Sequence, residues 1–164
     1  MPRLIALAIT VGVLAVVATW IFGLDPLVSA KLQVWQAFIA WGCHFHGGGG
    51  NLGSRNTVIC MSFGALIGMI AVMLAGQLGG LGSLAAPVAV GLGATVIVLA
   101  SSLTLLAAIP ASVYGFAAIA GLILLGDGVS PEAALIPTIL SVIIGAIFGY
   151  VSEIMSNALT RQDA

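Results

Sequence analysis

Apolar residues lie along this chain in long unbroken runs, and the polar residues collect between them. Six runs can be marked: residues 4–22, 27–45, 57–76, 84–108, 110–125, and 131 to about 155. Gly23, Asp25 and Pro26 close the first run, and four glycines, Gly47 to Gly50, close the second. An uncharged, glycine-rich turn over residues 77–83 precedes the fourth, and Pro110 opens the short fifth. Gly126, Asp127, Gly128 and Ser130 make the next turn. Pro131 and Glu132 suit the first turn of a sixth helix with Ser130 as its N-cap. None of the runs alternates polar and apolar residues as barrel strands do. In hydrocarbon every backbone N–H and C=O must pair within its own element, so runs of this kind predict helices. The expected fold is an all-α membrane protein with six transmembrane helices.

Composition sharpens that reading. Of 164 residues, 61% are hydrophobic and 5% are charged. Four basic and five acidic side chains cannot coat a water-facing surface. Six helices of about 20 residues leave only short loops. A single transmembrane domain over residues 1–164 follows, with the lipid bilayer as its first partner and no room for an extramembrane catalytic domain. The net charge of −1 gives no electrostatic case for nucleic acid. Arg3 precedes an apolar stretch longer than that of a signal peptide, so residues 4–22 are expected to be the first membrane helix. With six crossings, Arg3, Arg55 and Arg161 share one side, while Lys31 lies opposite with Asp25, Asp127 and Glu132. Positive-inside then places both termini in the cytoplasm.

The third and sixth runs resemble each other. Phe63-Gly-Ala-Leu-Ile-Gly-Met-Ile70 reads against Ile144-Gly-Ala-Ile-Phe-Gly-Tyr-Val151. Gly64 and Gly68 fall on Gly145 and Gly149, at an offset of 145 − 64 = 81. Each pair is a G-x-x-x-G step that lets helix backbones approach closely, within or between subunits, which motivates a homo-oligomer. A fainter echo lays Phe38-Ile-Ala-Trp-Gly42 on Val113-Tyr-Gly-Phe-Ala117. The expected plan is a three-plus-three inverted repeat, with halves of about 1–80 and 81–164. An odd number of crossings inverts the second copy, and such repeats commonly frame a transport path.

Chemistry is sparse. The telling places in such folds are short or broken helices at matching positions, here the second and fifth. The most unusual stretch runs from Trp41 to Asn51 and holds both histidines and the glycine run. In one reading it lines a pore: Trp35, Phe38, Trp41 and Phe45 form apolar walls, and His44, His46 and Asn51 add polar contacts. Tyr114 and Phe116 are the counterparts on the fifth helix. In a second reading Cys43, His44 and His46 bind a soft metal, although a structural zinc site usually takes four ligands. In a third the stretch is an interfacial helix end in an aromatic belt. No cofactor is called for. No G-x-S-x-G, H-E-x-x-H or P-loop pattern is present, so no enzyme activity is expected. Glu153 is read as a solvated interface residue, and the lack of mid-helix charge favours passive passage of a neutral solute.

Two passages carry a family resemblance. One is Trp35-Gln-Ala-Phe-Ile-Ala-Trp-Gly-Cys43 with Phe45 and Gly47 to Gly50. The other is Ile109-Pro-Ala-Ser-Val-Tyr-Gly-Phe-Ala117, followed by a proline-initiated helix bearing Gly-Ala-Ile-Phe-Gly-Tyr150. Together with length and hydropathy, they make the chain resemble the small bacterial inner-membrane proteins related to YcdZ, grouped as a domain of unknown function. The resemblance implies an inner-membrane helical bundle and no particular reaction. The leading expectation is a channel or facilitator for a small neutral or weakly ionised solute. The alternatives are a structural or accessory membrane protein, or a metal-binding one.

Overall fold

The computed structural model describes residues 1–126 and 128–160. Asp127 of the fifth turn, and Arg161 and Asp163, lie outside the described residues. Every regular element among the described residues is helical. In chain order these are α1 (Arg3–Phe22), α2 (Asp25–Ser29), α3 (Val34–His46), α4 (Gly50–Gln77), α5 (Ala85–Ala100), α6 (Ile109–Leu125) and α7 (Pro131–Leu159). A 3₁₀ stretch, Gly79–Leu84, leads into α5, and a single 3₁₀ turn, Thr104–Leu106, precedes α6.

Four stretches are long and apolar enough to cross a membrane: Arg3–Phe22, Gly50–Gln77, Gly79–Ala100 and Pro131–Leu159. The other two of the six expected crossings are shorter. α6 has 17 residues and α3 only 13. At about 1.5 Å per residue, α3 is roughly 20 Å long, against a hydrocarbon core of about 30 Å.

The second run departs most from expectation, because it is not one helix. Pro26 lies in the first turn of the five-residue α2, and the chain then turns at Lys31, whose φ of 59° is left-handed. The Gln33 N–H donates to Ser141 Oγ on α7 at 3.0 Å, so α3 begins beside the interior of another helix. Hydropathy does not register this break, because Leu27, Val28 and Ala30 are as apolar as the residues of α3. The approach to α6 is tied in a similar way, by a bond from Cys60 Sγ on α4 to the Leu105 carbonyl at 3.4 Å. α4 begins at Gly50, earlier than its apolar run, and takes in Asn51, Ser54, Arg55 and Asn56. At α7, Ser130 accepts from the Ala133 N–H as the N-cap, with Pro131 at the first position.

Each short helix packs on the long helix of the other half: α3 on α7 and α6 on α4. α4 and α7 also pack on each other, with α5 against α4 and α1 against α7. Glycine makes the closest approaches possible. A Cβ at Gly64 would collide with the Ser112 carbonyl, and one at Gly145 with the Ala37 carbonyl. Four residues on, a Cβ at Gly68 would stand 2.7 Å from Ile119 Cγ2, and one at Gly149 the same distance from His44 Cγ.

The buried positions recur at fixed spacings. On α4 they are Gly53, Thr57, Cys60, Met61, Gly64, Ala65, Gly68 and Ala71. Counting 81 onwards gives Ala134, Thr138, Ser141, Val142, Gly145, Ala146, Gly149 and Ser152, all buried on α7. On α3, buried Gln36, Ala37, Ala40, Cys43 and His44 recur 75 onwards (112 − 37) as buried Ala111, Ser112, Gly115, Ala118 and Ile119 on α6. Ala6, Thr10 and Ala18 of α1 recur 79 onwards (85 − 6) as buried Ala85, Ala89 and Ile97 of α5.

Candidate functional site

One group of polar side chains, among them buried His44 and Ser152, lies where α3 ends, α4 begins and α7 nears its end. Gly48, Gly49 and Gly50 have φ of 89°, 73° and 59°, a left-handed run that turns the chain from α3 into α4 and that side chains would resist. α4 has no cap from its own sequence. Glu153 of α7 supplies one, accepting the Gly50 N–H at 2.6 Å with its negative charge at the positive end of the helix dipole. A Cβ at Gly49 would meet the Glu153 carboxylate at 2.8 Å, so glycine there lets the acid reach the backbone.

The same carboxylate holds a histidine. His44 is fully buried, with Nε2 3.1 Å from Glu153 Oε2 and Nδ1 3.0 Å from Ser54 Oγ. An ionised carboxylate only accepts, so Nε2–H donates to Glu153. With the ring neutral, Nδ1 then accepts the Ser54 O–H. One turn earlier Trp41 is buried, and its indole N–H donates to Ser152 Oγ at 3.0 Å. The Ser152 hydroxyl donates onward to the Gly149 carbonyl. The Trp41 ring stacks on Phe38 and Phe148 at 5.8 and 5.4 Å. Further along α3, the Gln36 amide donates to the Ala118 carbonyl at 2.9 Å and to Thr138 Oγ1 at 3.0 Å, joining α3 to α6 and α7.

Two seams are concave. Between the short helices α3 and α6 lies a cavity of about 410 Å³ lined by Ile39, Gly42, Cys43, His46, Tyr114 and Ala117. At Cys43 and His46 it adjoins a recess of about 110 Å³ that adds Gly47, Asn56, Ala108, Pro110 and Ala111. The Tyr114 hydroxyl and His46 Nδ1 are 2.9 Å apart across this seam. Between α4 and α7 lies a cavity of about 320 Å³, lined by Asn51, Ser54, Val58, Ile143, Ala146, Ile147 and Tyr150.

The residues singled out in the sequence fall in several places. His46 and Tyr114 meet in the α3–α6 seam, and Asn51 lines the α4–α7 seam. Trp41 and His44 are buried in the bundle, while Phe38 and Phe45 are exposed. Trp35 lies over Gly121, and its indole N–H donates to Gln33 Oε1 at 3.2 Å. Phe116 reaches Gly93 on α5. Cys43, His44 and His46 face different neighbours, and among the described residues no group of three or more His, Cys, Asp or Glu is placed to hold a metal ion. Sequence reasoning missed Ser54, Ser152 and the part played by Glu153, whose side chain is 26% exposed and tied to a histidine 109 residues away. The signal for Glu153 was its place inside an apolar run, where ionisable groups by default mark function.

A family model described as a protein of unknown function (DUF1097) matches residues 8–157. No curated protein and no solved structure matches the chain.

Proposed function

The chain belongs to this DUF1097 family, and on that premise we propose that it is a channel or facilitator for a small neutral or weakly ionised solute. In this reading it crosses the membrane six times, and the resemblance to YcdZ-related proteins implies that the membrane is the bacterial inner one. Its halves form a three-plus-three inverted repeat, and it works as a homo-oligomer. The recurrence of buried positions at spacings of 81, 75 and 79 supports the repeat across all three helix pairs. So does the exchange of short helices, in which Gly64 meets Ser112 as Gly145 meets Ala37. The short helices complete their crossings through the segments that lead into them, residues 24–33 and 101–108.

One observation carries the transport reading. The two short helices flank a cavity whose few polar groups are Cys43, His46 and Tyr114. Short helices at matching places in inverted repeats border the solute site of many transporters. An apolar wall with a few convergent polar groups is also the usual make-up of a small-molecule site. The Gly64–Ser112 and Gly145–Ala37 contacts close the α4–α6 and α3–α7 seams, and in this reading the passage follows the open seam between α3 and α6. The Met1 amino group lies 3.4 Å from the Leu159 carbonyl, which puts both ends of the described chain at one end of the bundle. The arginine-rich ends then favour cytoplasmic termini.

Stopped-flow light scattering on liposomes containing the purified protein tests this. Urea, glycerol, ammonia and formate are offered in turn. Faster uptake of one solute than in empty liposomes, altered by Tyr114→Ala, is the expected result. Equal rates for all four would end the reading. The close glycine packing at the bundle centre favours a second one, a structural or accessory protein without transport, whose sign is a co-purifying partner and no flux.

A further inference from the structure

Among the described residues, the hydrogen-bonded chain Ser54–His44–Glu153 occurs at one end of the bundle only. Under the proposed repeat, which this inference assumes, the mates of His44 and Ser54 are Ile119 and Leu135, which pack in an apolar cluster with Leu122 and Ala134. The mate of Glu153 is Val72. The fold therefore accepts apolar residues at these positions, and building it does not require the polar chain. Capping of α4 accounts for the carboxylate of Glu153. It accounts for neither the buried imidazole nor the serine beyond it.

Ser54 faces both ways. It hydrogen-bonds His44, and it lines the 320 Å³ cavity between α4 and α7. Asn51 and Tyr150 add polar groups there, while Val58, Ile143 and Ile147 supply an apolar wall. Glu153 fixes the direction of the chain: Nε2–H donates to the acid, so with the ring neutral the Ser54 proton is committed to Nδ1. Ser54 Oγ then turns only lone pairs to the cavity. Among the described residues no lysine or arginine lines the cavity, and the carboxylate behind the imidazole opposes a bound anion.

We infer that this cavity binds a neutral amphiphile bearing an O–H or N–H donor, such as an alcohol or primary amide on a short alkyl body. The donor bonds Ser54 Oγ, and the alkyl chain lies against Val58, Ile143 and Ile147. A solute in transit and a neutral lipid resident in the bilayer share this chemistry.

The test is photolabelling of the purified protein in lipid nanodiscs with a diazirine-bearing octanol, mapped by peptide mass spectrometry. Labelling is expected to concentrate on the peptides that carry Asn51 to Val58 and Ile143 to Tyr150. Unlabelled 1-octanol and octanamide should compete at lower concentration than octanoate or octane. Ser54→Ala should lower cavity labelling about fivefold or more, the worth of one lost hydrogen bond. Ile147→Trp fills the cavity without touching the polar chain and should abolish the labelling. Competition by monooctanoylglycerol alone would assign a bilayer source, and competition by free glycerol as well an aqueous one. Labelling spread evenly over the helices would overturn the inference. So would labelling unchanged in both variants, or octanoate competing as well as octanol. Flux is not read in this experiment, so loss of the transport reading leaves the result intact.

Discussion

His44 has both ring nitrogens bonded and no exposure to solvent, so its environment must stay complete. Glu153→Ala strips a partner from His44 and from the Gly50 N–H. An unmade buried bond costs about 1–3 kcal/mol, so the variant should melt measurably below wild type in detergent. Glu153→Gln keeps an acceptor oxygen and should lose less. Equal melting of all three proteins would show that the bonds carry no net stability. Glycine sets a sharper constraint. At Gly145 a Cβ would strike the Ala37 carbonyl, a backbone group that cannot swing aside. Gly145→Val should destabilise by more than about 3 kcal/mol, beyond ordinary overpacking. At Gly91 a Cβ meets open space, so Gly91→Ala should be neutral or slightly stabilising. Thermal aggregation followed by size-exclusion chromatography would rank the two.

At the scale of elements, much was legible and the failures have physical causes. The long helices follow from the apolar runs, and the G-x-x-x-G steps at Gly64 and Gly145 pointed to close packing, because a missing side chain is a local feature. Ser130 with Pro131 marked the start of α7 correctly, since capping is local too. The break at Lys31 was not legible. It depends on Ser141 waiting for the Gln33 N–H, and no periodicity in residues 27–45 encodes a partner on another helix. The cap on α4 is hidden for the same reason, being supplied by Glu153 rather than by a neighbouring serine. Ser141→Ala tests how far the start of α3 rests on its single tether. Hydrogen exchange at residues 33–37 should rise, at a stability loss of about 1 kcal/mol. Unchanged exchange there would mean that packing alone sets where α3 begins.

For the whole molecule, the proposed topology places Lys31 on one side of the membrane and Arg55 on the other. Cys43 and Cys60 are buried, so they add little background to labelling of cysteines introduced elsewhere. A membrane-impermeant maleimide added to intact cells should modify Lys31→Cys and spare Arg55→Cys until the cells are opened. The reverse pattern would turn the protein over in the bilayer, and equal labelling of both would remove the six-crossing topology. The candidate site was only half visible at this scale. His44, His46 and Tyr114 stood out as rare residues. His44 and His46, two apart in sequence, point roughly opposite ways on a helix, and they serve different neighbours because α3 continues through His46; what the sequence left open was where that helix ends.

The exchange of short helices between halves has a consequence for how the chain is made. The bed for α3 is α7, and His44 must wait for Glu153, which comes 109 residues later. At roughly 5–20 residues per second of synthesis, that gap is on the order of 5–20 s. Throughout it, a helix too short to span and carrying a buried glutamine and histidine lacks its bed on α7, with only α4 and later α6 beside it. The nascent first half must be sheltered during that time by the insertion machinery or a membrane chaperone. Ribosome-stalled intermediates ending before α7 should therefore crosslink to such a factor through α3, and release it once α7 emerges.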